Sequence, residues 1–220
     1  MILAPLRGVT IKTFRIAFAD IIAQSGFTEA ITPFIPANPG CNPTREKELL
    51  NSTEEKVAVT PQFIGKDPNA LRECLLRIKD MGFTQADLNC GCPYPMIRRR
   101  NRGSGLLRTP DVLFKMIEIG CETMGEKNFS IKTRLGIDGN SEFIRLLPTI
   151  NSFPLRFITV HARNAAQMYD GACNLKAFNE ILSLAKMPVV YNGDVPFPVE
   201  TKISGAESMM IGRSFIRHLS

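Results

Sequence analysis

Short apolar runs alternate with longer segments of helical period along most of the chain. Apolar runs of about four to eight residues are typical of buried strands, and a period of 3.6 places apolar side chains on one face of a helix. The strand-like runs cover residues 2–5, 28–34, 57–64, 86–89, 129–134, 157–161, 188–192 and 208–211. The helix-like segments cover residues 11–25, 68–81, 110–124, 141–152 and 175–185. Strands that alternate with helices predict an α/β fold with a parallel sheet.

The number of strand-like runs decides between two parallel architectures. Eight runs favour a (β/α)8 barrel, the TIM barrel, over a doubly wound sheet. Asp67 and Thr109 each precede a proline, and a capping residue before a proline predicts a helix start. The crossover around residues 46–52 is short, and residues 198–204 and the segment after Arg213 have room for only a turn or two. We therefore expect a barrel whose final helices are reduced or missing.

Length and composition fit one globular domain. The chain has 220 residues, 44% of them hydrophobic and 22% charged, which predicts a single domain over residues 1–220. No apolar run approaches the length of a membrane helix, and the start MILAPLRGVT has no charged leader, so we expect a cytoplasmic protein without a membrane partner. Six cysteines without a CxxC pair and only two histidines predict neither a disulfide framework nor a metal site.

Polar side chains and glycines follow nearly every predicted strand. The carboxyl ends of parallel strands meet at one face of a barrel, where the active sites of this fold are built. The residues at these ends are Ala4, Pro5, Leu6, Arg7, Gly8, Gln62, Asn89, Cys92, Lys132, Arg134, His161, Arg163, Asn192, Gly193, Asp194, Gly212 and Arg213. Together they predict one binding site that is distributed over the whole fold.

Two features of this face indicate a specific chemistry. The loops after the seventh and eighth strands are the usual phosphate site of such a barrel, where Asn192-Gly193 and Gly212-Arg213 offer close backbone approach and a cation. Both dipeptides also occur as ordinary turns. Lys132 interrupts an apolar strand, and a buried lysine is costly unless it has a partner. We expect Lys132 to stabilise negative charge on a bound ring.

The stretch ADLNCGCPYPMIRRRNRGSGLL, residues 86–107, combines a strand, a cysteine turn and a run of arginines. Cys92 is a candidate reactive thiol, because adjacent arginines lower the pKa of a thiol. The adjacent arginines are Arg98, Arg99, Arg100 and Arg102, a cluster that a polyanion can contact. Such contacts would make binding salt dependent, and the formal charge of +6 permits them. The alternatives are that Cys90 and Cys92 only pack in the core and that the arginines form a solvated loop.

A series of motifs runs through nearly the whole chain: APLRGVT, TPQFIG, DLNCGCP followed by RGSGLL, SIKTRLG, ITVHAR followed by QMYDG, YNGD and MMIGR. In sequence and in order these motifs resemble those of the tRNA-dihydrouridine synthases, and the pair DLNCGCP and GSGLL is highly specific. The resemblance implies a TIM barrel that binds FMN, uses NADPH as reductant and reduces the C5–C6 double bond of particular uridines in tRNA.

The resemblance also implies roles for individual residues. Cys92 would protonate C5 of the uracil while the reduced flavin delivers hydride to C6 from the other face. A general acid must hold its proton at working pH, whereas adjacent arginines lower the pKa of a thiol, so the two demands agree only if these arginines face RNA phosphate. The residues implied to bind FMN are Ala4, Pro5, Leu6, Gln62, Lys132, His161, Asn192, Gly193, Asp194, Gly212 and Arg213. The residues assigned to the tRNA substrate are Asn89, Arg134 and Tyr169 and, for its phosphates, Arg98, Arg99, Arg100 and Arg102.

The chain departs from the family pattern in three places. It ends soon after Arg213, so we expect the helical tRNA-binding domain that usually follows the barrel to be absent. The segment of residues 194–208 is shorter than in the family. Ala162-Arg163-Asn164 stands where the family often has Gly-Arg-Thr. Two alternatives therefore stay open. One is a noncatalytic RNA-binding barrel or a truncated fragment, and the other is an FMN-dependent oxidoreductase that acts on a small molecule. The oligomeric state and the modified uridine are left open.

Overall fold

Parallel strands form a ring around the centre of the molecule. The computed structural model describes residues 1–43, 46 and 54–219. Within these residues the strands are β1 Ile2–Leu3, β2 Glu29–Ile31, β3 Ile35–Pro36, β4 Ala58–Thr60, β5 Gln62–Ile64, β6 Ala86–Cys90, β7 Phe129–Arg134, β8 Ile158–His161, β9 Val189–Asn192 and β10 Ser208–Ile211. β5 through β10 pair in order, and β1 pairs with both β10 and β2. All of these pairings are parallel.

Two strands of the ring are interrupted by proline. Pro33 lies between β2 and β3, and Pro61 lies between β4 and β5. β2 pairs with β4 and β3 pairs with β5, so each interrupted pair continues along one barrel position. Proline breaks the ladder because it has no N–H to donate. Counted by position, the described residues form eight parallel strands, which confirms the predicted (β/α)8 barrel.

Helices cover the outside of the ring. They are α1 Lys12–Ala17, α2 Ala19–Gln24, α3 Pro68–Asp80, α4 Pro95–Arg98, α5 Pro110–Met124, α6 Glu142–Ile150, α7 Leu175–Leu184 and α8 Arg213–His218, with a 3-10 helix at Gly103–Arg108. The segment predicted as one helix over residues 11–25 is divided at Phe18, whose φ of −112° and ψ of 20° leave the helical region. The other helix-like segments each form one helix.

The two predicted helix starts differ in their capping. The Asp67 carboxylate accepts hydrogen bonds from the amides of Asn69 and Ala70 at 2.9 and 3.2 Å, as a capping residue does. α5 does begin at Pro110, but Thr109 makes no side-chain cap. Its hydroxyl instead donates to the carbonyl of Leu106 at 3.3 Å, because the preceding 3-10 helix ends there.

The last segments of the barrel, after β9 and β10, contain little helix. Residues 193–207, between β9 and β10, contain no helix in the described structure, and α8 spans only six residues. This confirms the expectation of reduced or missing final helices. Of the short crossover predicted around residues 46–52, only Glu46 belongs to the described residues, so that expectation lies outside them.

Apolar side chains form two cores because alternate residues of a strand face opposite sides. The barrel interior holds a small cluster of Ile2, Ala4, Ile31, Phe157, Val190 and Met210. A larger core lies between the strands and the helices, and it includes Cys90, which is fully buried. All six cysteines are free, and the part of the chain described here contains no cluster of residues arranged to hold a metal.

Among the described residues, no helix combines the length and the apolar character needed to cross a membrane.

Candidate active site

A cavity of about 820 Å³ opens at the carboxyl ends of the barrel strands. Most residues that the sequence assigns to a site line this cavity: Ala4, Leu6, Asn89, Cys92, Lys132, Arg134, His161, Tyr169, Asn192, Gly193, Asp194, Gly212 and Arg213. The structure thus brings together side chains from six barrel positions and the loops that follow them. The volume of the cavity is within the usual range for sites that enclose a small molecule or cofactor, roughly 300–1,000 Å³.

The turn that carries Cys92 is fixed by hydrogen bonds on both sides. The Asn89 side-chain oxygen accepts from the amides of Gly91 and Cys92 at 3.1 and 2.8 Å. The Cys92 carbonyl accepts from the amide and the hydroxyl of Ser104 at 3.1 and 2.9 Å. The DLNCGCP and GSGLL motifs are therefore two halves of one structure that holds the thiol in place.

Glycine is required at two positions of the second motif for steric reasons. Gly103 has a φ of +56°, and a Cβ at this position would lie 2.8 Å from the Cβ of Cys92. A Cβ on Gly105 would lie 2.4 Å from the carbonyl oxygen of Arg98. Any larger residue would push the loop away from Cys92 or from α4.

The thiol of Cys92 is in its protonated form at neutral pH. Cys92 is 7% exposed, and burial raises its pKa above the ordinary value of 9.0. The amide of Tyr94 and the charges of Arg134 and Lys132 lower the pKa, but by less than burial raises it. The conflict expected from the sequence is resolved in this way, and the charges that act on Cys92 are those of Arg134, Lys132 and Arg7 and not those of the run of arginines.

A chain of buried polar side chains lies under the Cys92 turn. The fully buried carboxylate of Asp87 accepts from Gln62 Nε2 at 2.8 Å, and Gln62 Oε1 accepts from Asn89 Nδ2 at 2.9 Å. Ser130 also donates to Asp87, at 2.6 Å. Burial raises the pKa of Asp87 to about 6, while the hydrogen bonds from Ser130 and Gln62 lower it.

Gln62 is placed differently from most residues that the resemblance assigns to FMN, and its contact with the cofactor stays a prediction. It was expected to contact the cofactor, yet it is fully buried, does not line the cavity, and uses both ends of its amide within the protein. Asp87 was missed. Its position two residues before Asn89 places it on the same inward face of β6, so strand alternation alone could have indicated it.

Lys132 points across the mouth of the barrel. Its Nζ donates to the Asn192 side-chain oxygen at 2.9 Å, and Asn192 Nδ2 donates to the carbonyl of Met210 at 2.9 Å. Burial, followed by the charge of Arg134, lowers the pKa of Lys132 to about 8. The lysine is thus still mostly charged at neutral pH, and its partner inside the protein is a neutral amide.

His161 is neutral in this environment. Burial, followed by the charges of Arg134 and Lys132, lowers its pKa well below the ordinary value of 6.5. Its Nε2 lies 3.3 Å from Nη1 of Arg163. A guanidinium group can only donate, so Nε2 is the acceptor and the ring proton is on Nδ1.

Two guanidinium groups contact the ring of Tyr169. The Cζ atom of Arg213 is 4.7 Å from the ring centroid and that of Arg134 is 5.3 Å from it. Arg134 is itself fixed, because it donates to the carbonyls of Gly91 and Asn164 at 3.0 and 2.9 Å. Tyr169 is 37% exposed, so it forms part of the wall near the opening.

The loop after β8 is attached to the end of β9 by an ion pair between the buried Arg163 and the exposed Asp194. Arg163 is 1% exposed and binds the carboxylate of Asp194, which Arg213 also contacts at 3.1 Å. Arg163 further donates to the carbonyl of Asp170 at 3.2 Å. The Arg163 guanidinium holds the pKa of Asp194 below its usual range, so Asp194 is ionised and compensated inside the protein.

The arginines after Cys92 point in different directions. Arg98 lies 3.8 Å from the carboxylate of Asp138, and Arg102 donates to the side chain of Asn38 at 2.9 Å. Arg99 and Arg100 line a second cavity beside the first. None of these four arginines lines the first cavity, and Pro5 does not line it either. Arg7, Phe34 and Tyr94 line both cavities. Arg7 was expected at the site as a strand-end residue, whereas Phe34 and Tyr94 were not assigned to a site from the sequence.

The lining of the first cavity fits an anionic ring compound with a phosphate. Its cations include Lys132, Arg134 and Arg213, and its only carboxylate among the described lining residues is Asp194, which arginines already neutralise. Gly212 packs closely against Ala4, the residue that follows β1. A Cβ on Gly212 would lie 3.1 Å from the Cβ of Ala4. These features suit the group that the resemblance implies, FMN.

A comparison with protein families decides the relationship. The model of the family described as Dihydrouridine synthase (Dus) matches residues 2–218. The chain belongs to the dihydrouridine synthase family. The resemblance that the motifs indicate is thereby confirmed.

Curated members of the dihydrouridine synthase family match almost the whole chain. The tRNA-dihydrouridine synthase B of Vibrio vulnificus is 26% identical over 219 residues, which cover 97% of this chain and 66% of that protein. The tRNA-dihydrouridine(16) synthase of Haemophilus influenzae is 26% identical over 223 residues, which cover 97% of this chain and 72% of that protein. The chain spans about two thirds of the length of these relatives.

Solved structures show the same barrel at low identity. Morphinone reductase has a TM-score of 0.68 and 9% identity, with 98% of this chain and 82% of that chain covered. The old yellow enzyme homologue from Zymomonas mobilis has a TM-score of 0.68 and 11% identity, with 98% and 85% covered. At such identity the likeness shows the fold alone, and it agrees with the barrel of this dihydrouridine synthase family member.

Proposed function

We propose that this chain is the catalytic barrel of a tRNA-dihydrouridine synthase. It would bind FMN in the cavity at the carboxyl ends of the strands and use NADPH to reduce the C5–C6 double bond of a uridine in tRNA. The observation that carries the proposal is the buried, protonated thiol of Cys92 at the wall of a cavity rich in cations. Family membership over residues 2–218 supports the same conclusion.

The residues around the cavity suit FMN in three ways. Lys132 and the neutral His161 would contact the ring system, where Lys132 favours negative charge. Asn192, Gly193, Gly212 and Arg213 would surround the phosphate after β9 and β10, the usual phosphate position in this fold. When bound, FMN would supply the hydride that the reduction requires.

Cys92 would supply the proton. Saturation of a C5–C6 bond adds one hydride and one proton, so NADPH is oxidised to NADP⁺ and the uracil gains both. Because burial raises the pKa of Cys92, the thiol carries this proton at neutral pH and Asn89 and Ser104 keep it in position. Gln62 and Asp87 act below the cavity by fixing the amide orientation of Asn89.

The substrate uridine has to leave its stack to reach this cavity. Asn89, Arg134 and Tyr169 line the wall where a uracil could be held, and Tyr169 offers a ring for stacking. Single-stranded RNA bases are commonly bound on aromatic rings and guanidinium planes, which is the combination formed by Tyr169 and Arg134.

The test is reconstitution followed by turnover. The purified protein is mixed with FMN, freed of excess flavin, and incubated with NADPH and bulk tRNA that lacks modifications. We expect stoichiometric flavin absorbance and dihydrouridine in the nucleosides of the digested tRNA. Flavin uptake without any dihydrouridine, together with oxidation of NADPH by a small enone, would favour a small-molecule oxidoreductase. Failure to take up FMN would contradict the proposal.

A further inference from the structure

A second cavity of about 810 Å³ adjoins the candidate active site. It is lined by Arg7, Phe34, Tyr94, Pro95, Met96, Ile97, Arg99 and Arg100. Arg7, Phe34 and Tyr94 also line the first cavity, so the two spaces share a wall. A ligand that extends out of the active site on this side would enter the second cavity next.

The lining combines apolar side chains with cations. Arg7, Arg99 and Arg100 contribute three positive charges, and no carboxylate is found among the described residues that line this space. Arg7 lies over the ring of Phe34, with its Cζ atom 5.2 Å from the centroid. Aromatic rings beside guanidinium groups are the usual surface on which unpaired nucleobases stack, while the charges meet the phosphates of the strand.

Two large side chains that line the second cavity, Tyr94 and Met96, are exposed to solvent. Tyr94 is 52% exposed and Met96 is 72% exposed. α4, which carries Met96, has no buried residue. It is fastened through its backbone, because Gly105 packs directly against the carbonyl of Arg98. The fold therefore presents these side chains to the outside without using them for its own packing.

We propose that the second cavity binds the nucleobase next to the target uridine in the RNA strand. The proposal rests on the proposed function, because it takes the uridine to occupy the first cavity. The shared wall places the neighbouring nucleotide beside Tyr94, where its base stacks on the ring and on Met96. Arg99 and Arg100 then lie where the phosphate backbone passes, which separates their role from that of Arg98 and Arg102.

The experiment compares RNA pentamers by fluorescence anisotropy with the FMN-loaded protein in the absence of NADPH. One probe is labelled oligouridylate of five residues, and the other has abasic residues on both sides of the central uridine. Stacking is worth about 1–3 kcal/mol per base, so we expect the abasic probe to bind at least about fivefold more weakly. Tyr94→Ala should remove this difference, and Met96→Ala should reduce it.

Two control variants separate the subsite from general effects. Tyr94→Phe keeps the ring and should keep the full difference between the probes. Leu76→Ala removes an apolar side chain that is 51% exposed on α3, and it should also leave the difference unchanged.

The outcomes distinguish the two proposals. Equal binding of both probes by the unaltered protein, or an unchanged difference in Tyr94→Ala, would overturn the second subsite and leave the proposed function standing. A rise in the NADPH KM of Tyr94→Ala without a change in the RNA difference would assign the cavity to the reductant instead. Absence of binding to either probe and to tRNA would contradict the proposed function itself.

Discussion

The two ends of the barrel interior differ in how their charged side chains are paired. Near the amino ends of the strands, the carboxylate of Glu29 accepts two hydrogen bonds from Arg156, at 2.7 and 3.0 Å, and one from Thr60. At the carboxyl ends, Lys132, Arg134 and Arg213 face a cavity whose only described carboxylate is already bound by arginines. The apolar cluster that includes Ile31, Val190 and Met210 lies inside the barrel.

The comparison separates charge that supports the fold from charge that is available to a ligand. At the amino end Glu29 and Arg156 are partners within the protein, so a change there should alter stability and leave binding unaffected. At the carboxyl end the cations exceed the anions, and a buried cation without a counter-ion is costly. A bound anion would compensate that excess, so changes there should alter binding or turnover.

Cys92→Ala has the largest expected effect at the carboxyl end. We expect turnover of tRNA to fall by roughly 10²- to 10⁴-fold, the usual contribution of a general acid, while FMN stays bound. Dihydrouridine formation and the flavin spectrum measure the two properties. Cys90→Ala is the matched control, because Cys90 packs in the outer core and should retain turnover despite a loss of stability. Full activity of Cys92→Ala would remove the thiol from the mechanism.

Arg156→Ala tests the amino end. It leaves the Glu29 carboxylate, which is 5% exposed, without its guanidinium partner. Removing one partner of a buried pair costs about 3–5 kcal/mol, and because Arg156 is partly exposed we expect about 2–4 kcal/mol in the free energy of unfolding. Urea denaturation measures this loss, and FMN affinity should not change.

The double variant sharpens the same prediction. Glu29→Gln in the Arg156→Ala background removes the uncompensated charge and should recover part of the stability. If the double variant were no more stable than Arg156→Ala, the loss would not come from the buried carboxylate. A weakened affinity for FMN in either variant would break the separation between the two ends.

Lys132→Met should weaken FMN binding about tenfold, the order expected for one charged hydrogen bond. Fluorescence titration of FMN measures it, and Lys115→Met, an exposed lysine paired with Glu118 on α5, should have no effect. Since the pKa of Lys132 in the free protein is lowered to about 8, its charge is lost above that pH. We therefore expect the affinity to fall above pH 8 in the unaltered protein and to stay level in Lys132→Met. Parallel pH profiles would contradict the assignment.

Asp87→Asn has the smallest expected effect on turnover. The carboxylate accepts from both Ser130 and Gln62, whereas an amide nitrogen cannot accept, so the orientation of Gln62 and then of Asn89 is disturbed. We expect turnover to fall roughly three- to tenfold, the value of one neutral hydrogen bond. Asp111→Asn, an exposed carboxylate at the start of α5, should retain full turnover.

The same variant tests the pKa of Asp87. Burial raises that pKa from 3.8 to about 6, so the folded state holds the proton more tightly than the unfolded chain. The stability that this proton contributes is complete below about pH 4 and is lost as the pH rises through about 6. We expect the difference in unfolding free energy between the unaltered protein and Asp87→Asn to change over this range. A constant difference would mean that Asp87 titrates with an ordinary pKa.

Local patterns were sufficient for the barrel and for the location of the site. Most strands and helices follow from short-range periodicity, although the division of residues 11–25 at Phe18 and the short helix α4 do not. Eight strand-like runs left few parallel folds to consider. The residues at the strand ends converge on one cavity because all parallel strands point the same way. For the same reason Lys132 and Asn192, sixty residues apart, could be expected on one face, but their direct hydrogen bond could not.

The depth of a side chain below the cavity and the direction in which it points could not be predicted. Gln62 was expected at a strand end, but it is the first residue of β5, and its side chain is fully buried and does not line the cavity. The arginines of residues 98–102 are adjacent in sequence, but the short helix α4 and the loop after it turn them toward different partners.

The sequence by itself determined the order of the strands, the family, and which residues meet at the barrel mouth, because period, motif and strand direction are local properties. Only the tertiary structure decided the protonation of Cys92, the chain from Asp87 to Asn89 and the second cavity beside Tyr94. A pKa, a hydrogen-bond direction and a cavity depend on what surrounds a side chain in space, and those neighbours come from distant parts of the chain.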